Sequence, residues 1–348
     1  MTALAKIIRQ VIAEEGPLSL DRYMSLCLGH PQYGYYMTRD PFGQQGDFTT
    51  APEISQVYGE LIGVWVVQTW IAMGSPRHFA LVELGPGRGT LMADVLRVLS
   101  KSEACRKAVE VHLVEISPVL REAQRQRVPG AVWHASVASL PARPSIVIAN
   151  EFFDALPIRQ FLRQGGRVYE RCVIVEGDKL ALLDRPSPFR IGLSGEGVFE
   201  DSRIREAVAT QLGDHLRTVG GAALVIDYGH GQTALGDTLQ AMRQHQYCRI
   251  TDVPGEADLT SHVDFEALAK AFAGGGLRIN GLMTQGHFLR AMGLEKRVEV
   301  LSRSLQGSAQ ENFIAATGRL ANADQMGQHF KVMAASSGKI DLYPFGAT

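Results

Sequence analysis

The stretch FALVELGPGRGT, Phe79 to Thr90, constrains the fold more than any other part of the chain. Six apolar-rich residues bounded by turn signals read as a buried strand. The apolar pattern that follows, through Leu99, reads as a helix. A strand that enters a helix through a tight glycine turn is the opening of a βαβ unit. The rhythm then repeats. VEVHLVE (109–115) precedes the helical SPVLREAQRQR, AVWHA (131–135) is a third strand and SIVIANEF (145–152) a fourth. AALVIDYG (222–229) is a fifth, and LRINGLMTQ (277–285) and FKVMAAS (330–336) could complete the sheet. Strands alternating with helices in this way predict an α/β fold with a mostly parallel sheet.

Other segments decorate this unit. Leu4, Ile7, Ile8, Val11 and Ile12 recur at helical spacing, and Glu53 to Met73 is a second apolar helix. Between them, residues 29–52 have no steady period. From Leu162 to Gly220 the βαβ rhythm gives way to a hairpin or meander with turns at Gly165-Gly166 and Gly177-Asp178, and a helix near 202–218. The expected organisation is an N-terminal helical or lid region (1–75), a core (76–160 and 215–348), and an inserted β-rich subdomain (160–214) for a substrate or partner.

Composition removes several function classes. Lys plus Arg number 35 and Asp plus Glu 36, a net charge of −1, whereas a nucleic-acid partner calls for a positive excess. No apolar run approaches the roughly 18 residues of a membrane span. Cys27, Cys105, Cys172 and Cys248 stand alone, without the paired spacing of a zinc site or a disulfide framework. No metal ligands are expected. Glu14 and Glu15 occupy the place of a signal-peptide cleavage site, which suggests a cytoplasmic protein.

The glycine turn carries the chemistry. Gly85, Gly87 and Gly89 let a backbone approach a ligand closely, but the third glycine comes too early for the dinucleotide fingerprint. No GK[ST] ending makes a phosphate loop. Glu83, two residues before the first glycine, would repel a pyrophosphate and suits a cationic ligand. Glu115, at the end of the next strand, can accept both hydroxyls of a ribose. S-adenosylmethionine meets both demands. The plainer alternative is a tight turn followed by a solvated strand end.

ELGPGRGTL, GDFTTAPEIS (46–55), NEFFDALP (150–157), DLTSHVDF (258–265) and TQGHFL (284–289) together resemble the MidA-type S-adenosylmethionine-dependent methyltransferases, over Leu18 to Met333. The resemblance implies a Rossmann-like class I methyltransferase fold with a seven-stranded sheet and an N-terminal extension. Mitochondrial members of that family are complex I assembly factors that methylate an arginine of a core subunit. The implied activity is methyl transfer to a protein arginine, and the implied partner is a protein substrate.

Ligands of open α/β sheets lie beyond the carboxyl ends of the strands, so Asn150, Glu151 and Phe152 should face the transferred methyl. Glu151 and Asp154 could hold a guanidinium bidentately, and Asn150 is placed with them as a catalytic candidate. In GDFTTAPEIS, Thr49 and Glu53 could face the cofactor; alternatively, Thr50 caps a helix opened by Pro52 and Glu53. Ser136, with Val137 beneath it, is the candidate for the adenine. Tyr33, Tyr35 and Tyr36 form an aromatic wall or pack a loop down. Asp227-Tyr228 could reach the acceptor, and His262 with Asp264 form either a base or a capping turn. The rival readings are a non-catalytic assembly module binding a protein partner, a small-molecule methyltransferase and a nucleotide-linked dehydrogenase.

Overall fold

All six residues of Phe79–Leu84 are buried, because both faces of the strand are covered. The computed structural model describes residues 2–41 and 50–346. Its central sheet contains β1 (Phe79–Leu84), β2 (Val109–Val114), β3 (Val132–His134), β4 (Ser145–Asn150), β5 (Gly221–His230), β6 (Arg278–Thr284) and β7 (Phe330–Ser336), in the order β3-β2-β1-β4-β5-β7-β6. β7 is antiparallel to β5 and β6, and the other pairs are parallel. This is the mostly parallel, seven-stranded α/β sheet that the sequence predicts. Val263–Asp264 adds a short parallel pairing at the end of β5.

Alternation along the strands sends side chains to two cores. Phe79, Leu81, Ile146, Ile148, Leu224 and Ile226 meet the apolar helix Gln56–Ala72 on one face. Ala80, Val82, Val147, Ala223 and Val225 meet Ala209, Leu212 and Leu216 of the helix Arg203–Val219 on the other. The helix expected within the 160–214 insertion therefore packs on the central sheet. The helix expected from Glu53 to Met73 is broken. Ala51–Ile54 is a single turn, Ser55 is extended, and its side chain accepts from Val57 N to start the helix Gln56–Ala72.

Strands 159–164, 167–176, 179–186 and 197–201 form a second sheet, which Leu18–Ser19 joins by pairing with Val173 and Cys172. A third sheet, Gln240–Arg243, Gln246–Cys248 and Asp258–Thr260, is absent from the sequence reading. Its strands are short and polar, and its tight turn places Gln244 and His245 at φ +50° and +60° without the glycine that usually marks such a hairpin. Leu4, Ile8, Tyr23, Met24, Ile158, Val173, Ala241 and Leu259 form one apolar cluster. The N-terminal helices and the two smaller sheets are thus tied together. No helix among the described residues is long and apolar enough to cross a membrane.

Candidate active site

The sheet order reverses between β1 and β4, so the turns after these two strands diverge and leave a crevice at their carboxyl ends. The turn after β1 is the glycine loop. Gly85 has φ +59°, its N–H donates to Val114 O at 3.0 Å, and a Cβ there would lie 3.0 Å from Phe152 Cδ2. Gly89, at φ +80°, begins the helix Thr90–Leu99, and a Cβ there would press on Val128 at 3.2 Å. Both positions need glycine for conformation and for space.

Glu83 and Glu115 stand on either side of this loop, and both are buried. Burial, reinforced by the Glu115 charge, pushes the Glu83 carboxyl up to about 8, and its Oε2 has no hydrogen-bond partner. Glu115 is satisfied locally: Oε1 accepts from Ser117 N at 2.8 Å and Oε2 from Gln124 Nε2 at 3.2 Å. Its acidity is still weakened, because burial outweighs these bonds. Gln124 was missed in the sequence. It is fully buried, donates to Gly87 O at 2.7 Å, and accepts from Trp133 Nε1 at 2.8 Å, linking the loop, the acid and β3. Its spacing of four from buried Leu120 was the available signal.

The turn after β4 is built differently. Asn150 Oδ1 accepts from Tyr58 OH at 2.5 Å, and Asn150 Nδ2 donates to Glu151 Oε1 at 3.0 Å. Glu151 Oε1 also accepts from Ala51 N at 3.1 Å. Its backbone has φ +49°, a left-handed conformation uncommon for a residue with a side chain. The strand fixes this geometry through the bond from Glu151 N to Ile226 O, 2.8 Å. Desolvation raises the Glu151 carboxyl to about 7, against the opposing Ala51 N–H.

Asp154 is buried and its Oδ1 has no partner. Burial raises its pKa, with the Arg205 charge opposing. Asp227, on β5, aligns the turn: Oδ2 accepts from Phe153 N at 3.0 Å and Asp154 N at 3.2 Å. Phe153 is core, while Phe152 lines the crevice.

The remaining candidates divide. Thr49, and Gly46 and Asp47 of the same motif, lie outside the described residues. Thr50 begins the turn Ala51–Ile54 without a side-chain cap bond. Glu53 borders the crevice with its carboxylate engaged, by Thr90 Oγ1 at 2.5 Å and by the Arg88 and Arg127 guanidinia at 3.7 and 3.8 Å. Ser136 and Val137 line the crevice beside Glu115. Of the tyrosines, Tyr35 is core, Tyr33 is exposed, and Tyr36 borders the crevice with its hydroxyl donating to Asp258 Oδ1 at 2.8 Å. Asp264 caps the helix Phe265–Gly274 by accepting from Ala267 N at 3.0 Å, and His262 faces the crevice.

One cavity of about 1420 Å³ joins these groups, from Glu83, Gly85 and Glu115 to Glu151, Asp154, Tyr228 and His262. Small-molecule pockets run to roughly 300–1,000 Å³, so this one has room for a cofactor and an acceptor side chain together. The fit to S-adenosylmethionine can be read from the residues. A buried carboxylate oxygen lacks a donor where a cationic amino-acid end would supply one, and the glycine positions leave no Cβ in the way. Glu115 Oε1 and Oε2 each accept from the local network and have lone-pair capacity left for a hydroxyl donor.

Known proteins bear on this assignment. Residues 61–283 match the family described as "Putative S-adenosyl-L-methionine-dependent methyltransferase". The mitochondrial protein arginine methyltransferase NDUFAF7 homolog of Drosophila melanogaster is 37% identical, over 98% of this chain and 87% of its own. The human mitochondrial protein arginine methyltransferase NDUFAF7 is 34% identical, over 96% and 83%. A crystal structure of a Burkholderia thailandensis protein bound to S-adenosyl-homocysteine superposes with a TM-score of 0.85 at 27% identity, over 99% of this chain and 95% of that one. The cytoplasmic placement drawn from the acidic N-terminus does not stand, because relatives that match over more than nine-tenths of the chain are mitochondrial proteins. Two acidic residues near the start are too local a feature to report a compartment. The cleft, the fold and these relatives agree: the chain belongs to the S-adenosyl-L-methionine-dependent methyltransferase family.

Proposed function

We propose that this enzyme methylates an arginine side chain of a protein. One observation carries the reading: the cavity holds Glu151 and Asp154, three residues apart on one turn, neither is in an ion pair among the described residues, and Asp154 Oδ1 is buried without a donor. A planar guanidinium presents a fork of N–H donors that two carboxylates can share. The relatives named above are themselves protein arginine methyltransferases, which supports the same acceptor.

On this reading Glu83 takes the ammonium of the cofactor and Glu115 its ribose hydroxyls, while Gly85, Gly87 and Gly89 allow the close backbone approach. Ser136 lies at the adenine end. Bound S-adenosylmethionine supplies a methyl group on a sulfonium whose leaving thioether is neutral. The protein therefore has mainly to align the acceptor nitrogen and keep its lone pair free. Asn150 orients Glu151, Glu151 holds the guanidinium, and Asp154 Oδ1 takes the proton that the nitrogen gives up. The strands of 160–214 are the proposed docking region for the acceptor protein. In its finer form, taken from the family resemblance, the acceptor is a respiratory-chain subunit.

The test is transfer of labelled methyl from S-adenosylmethionine to extract proteins, followed by acid hydrolysis and identification of the methylated amino acid. Methylarginine is expected. Glu151→Gln should leave cofactor binding in calorimetry unchanged and reduce the label by about 10–100-fold, the scale of one lost charge-assisted bond to the guanidinium. Label confined to lysine or to small molecules, or a fully active Glu151→Gln, removes the reading.

A further inference from the structure

Arg205 is the feature of this cleft that neither the motifs nor the family assignment explains. It lies on the helix Arg203–Val219, is only 2% exposed, and makes no ion pair among the described residues. A buried guanidinium without a carboxylate partner is costly unless its donors are otherwise occupied. Here they are occupied by oxygens of two loops. Nε donates to Leu156 O at 3.3 Å, Nη1 to His262 O at 2.7 Å, and Nη2 to Asp154 O at 3.0 Å and Ser261 Oγ at 2.6 Å. Ser261 N adds a main-chain bond to Asp154 O at 3.1 Å.

We infer that Arg205 is the positioning residue of the acceptor half. It fastens the turn bearing Asp154 to the loop bearing His262 through backbone oxygens, and it supplies positive charge beside Asp154 without occupying the carboxylate. The inference rests on the proposed arginine acceptor. Its consequence is that Asp154 Oδ1 stays buried, charge-compensated and unpartnered, ready for an incoming donor. A direct Arg205–Asp154 ion pair would have stabilised the turn as well, but it would have placed a resident guanidinium where the substrate's belongs.

Two properties are separable, the fork and the charge. Lysine keeps the charge but has no planar fork to span the carbonyl oxygens of Asp154, Leu156, Ser261 and His262. Methionine keeps the approximate length and removes the charge. The groups that face Asp154 are Arg205, Asp227 and Tyr228, with Glu151 and Tyr36 nearby and Glu200 behind Arg205. Apart from the two tyrosines, all of these neighbours except Arg205 are acids. Removing the Arg205 charge must therefore move the ionisation of Asp154 to higher pH, while Arg319 keeps its charge on the Glu151 side of the cavity.

The experiment uses the full chain with S-adenosylmethionine and the extract protein that the parent labels on arginine. Arg205→Lys is expected to lower kcat/KM for the acceptor about tenfold or more, with the acidic limb of the pH profile unmoved and cofactor affinity within about twofold. Ser261→Ala, which removes the 2.6 Å contact alone, is expected to give a loss of several-fold in the same pattern. Arg205→Met is expected to shift the acidic limb upward in whatever fraction folds. If the lysine and Ser261→Ala variants keep the parental kcat/KM, the inference is wrong. It is also wrong if both variants lose activity only in proportion to folded protein, since a scaffold role alone would do that. If the parent itself makes no methylarginine, the acceptor reading fails first and takes this inference with it.

Discussion

The two halves of the cleft are held together in opposite ways. In the cofactor half, Glu115 is satisfied by Ser117, two residues on, and by Gln124, nine residues on. In the acceptor half, Glu151 depends on Ala51, one hundred residues away, and Asp154 on Asp227 and Arg205. Apart from Glu83 Oε2, which has no partner, the first half is completed by bonds within its own βαβ unit. The second exists only when the helix Arg203–Val219, the loop 261–262 and the turn at Ala51 have all docked. It is also where the left-handed Glu151 lies. Strain and unmet polar groups persist where long-range packing over-determines them, and such places are commonly functional.

If this contrast is right, substitutions should sort by half. Glu115→Ala is the largest expected effect. In the proposed arrangement its carboxylate accepts from the ribose, so calorimetry should show cofactor affinity falling by about 100-fold or more, on the order of 3 kcal/mol. Glu151→Gln should leave that affinity alone and reduce turnover. A large loss of cofactor affinity in Glu151→Gln would break the division.

The same contrast explains what could be read in advance. The glycine loop, Glu83 and Glu115 declare themselves because strand, turn and acid lie within a few residues of one another, and the strand period places each acid at a carboxyl end. Glu151 and Asp154 were visible as a polar turn after a buried strand. Arg205 was not: in RIREAVATQLGDHLRTV it is one of three arginines on a helix, and only the packing of that helix against two loops makes it internal. Tyr58 hides in the same way, within an apolar helix, although its hydroxyl fixes Asn150. The third sheet escaped notice because its turn has no glycine.

Gln124 gives an intermediate test. It touches no ligand in the proposed arrangement and acts by fixing Glu115 against the glycine loop. Gln124→Leu keeps the volume but leaves Glu115 Oε2, Gly87 O and Trp133 Nε1 without a partner. Cofactor affinity should fall about tenfold, less than for Glu115→Ala. Because both residues act on one carboxylate, the double variant should lose little more than Glu115→Ala alone. Full additivity would mean that Gln124 acts on the cofactor by some other route.

The smallest expected effect tests the electrostatics of the cofactor half alone. The Glu83 carboxyl stands at about 8 in the cofactor-free chain, pushed up mainly by burial. Near neutrality it is thus mostly protonated, whereas a bound ammonium requires it ionised. Binding at pH 7 should release most of one proton, measurable as a dependence of calorimetric heat on the ionisation enthalpy of the buffer. Affinity should rise about two- to fivefold from pH 7 to 8, with deprotonation of the cofactor's own amine limiting the gain. Stability follows the same linkage. An acid whose folded pKa lies above its unfolded value of 4.5 holds its proton more tightly when folded, so its contribution is complete below about 4.5 and lost as pH rises through about 8. The free enzyme's Tm should therefore decline over that window, and saturating S-adenosyl-homocysteine should flatten the decline by pairing the carboxylate. Glu83→Gln should remove both the decline and the proton release. A parental proton release in Glu83→Gln would place the titrating group elsewhere, with Glu115 and its weakened acidity the next to examine.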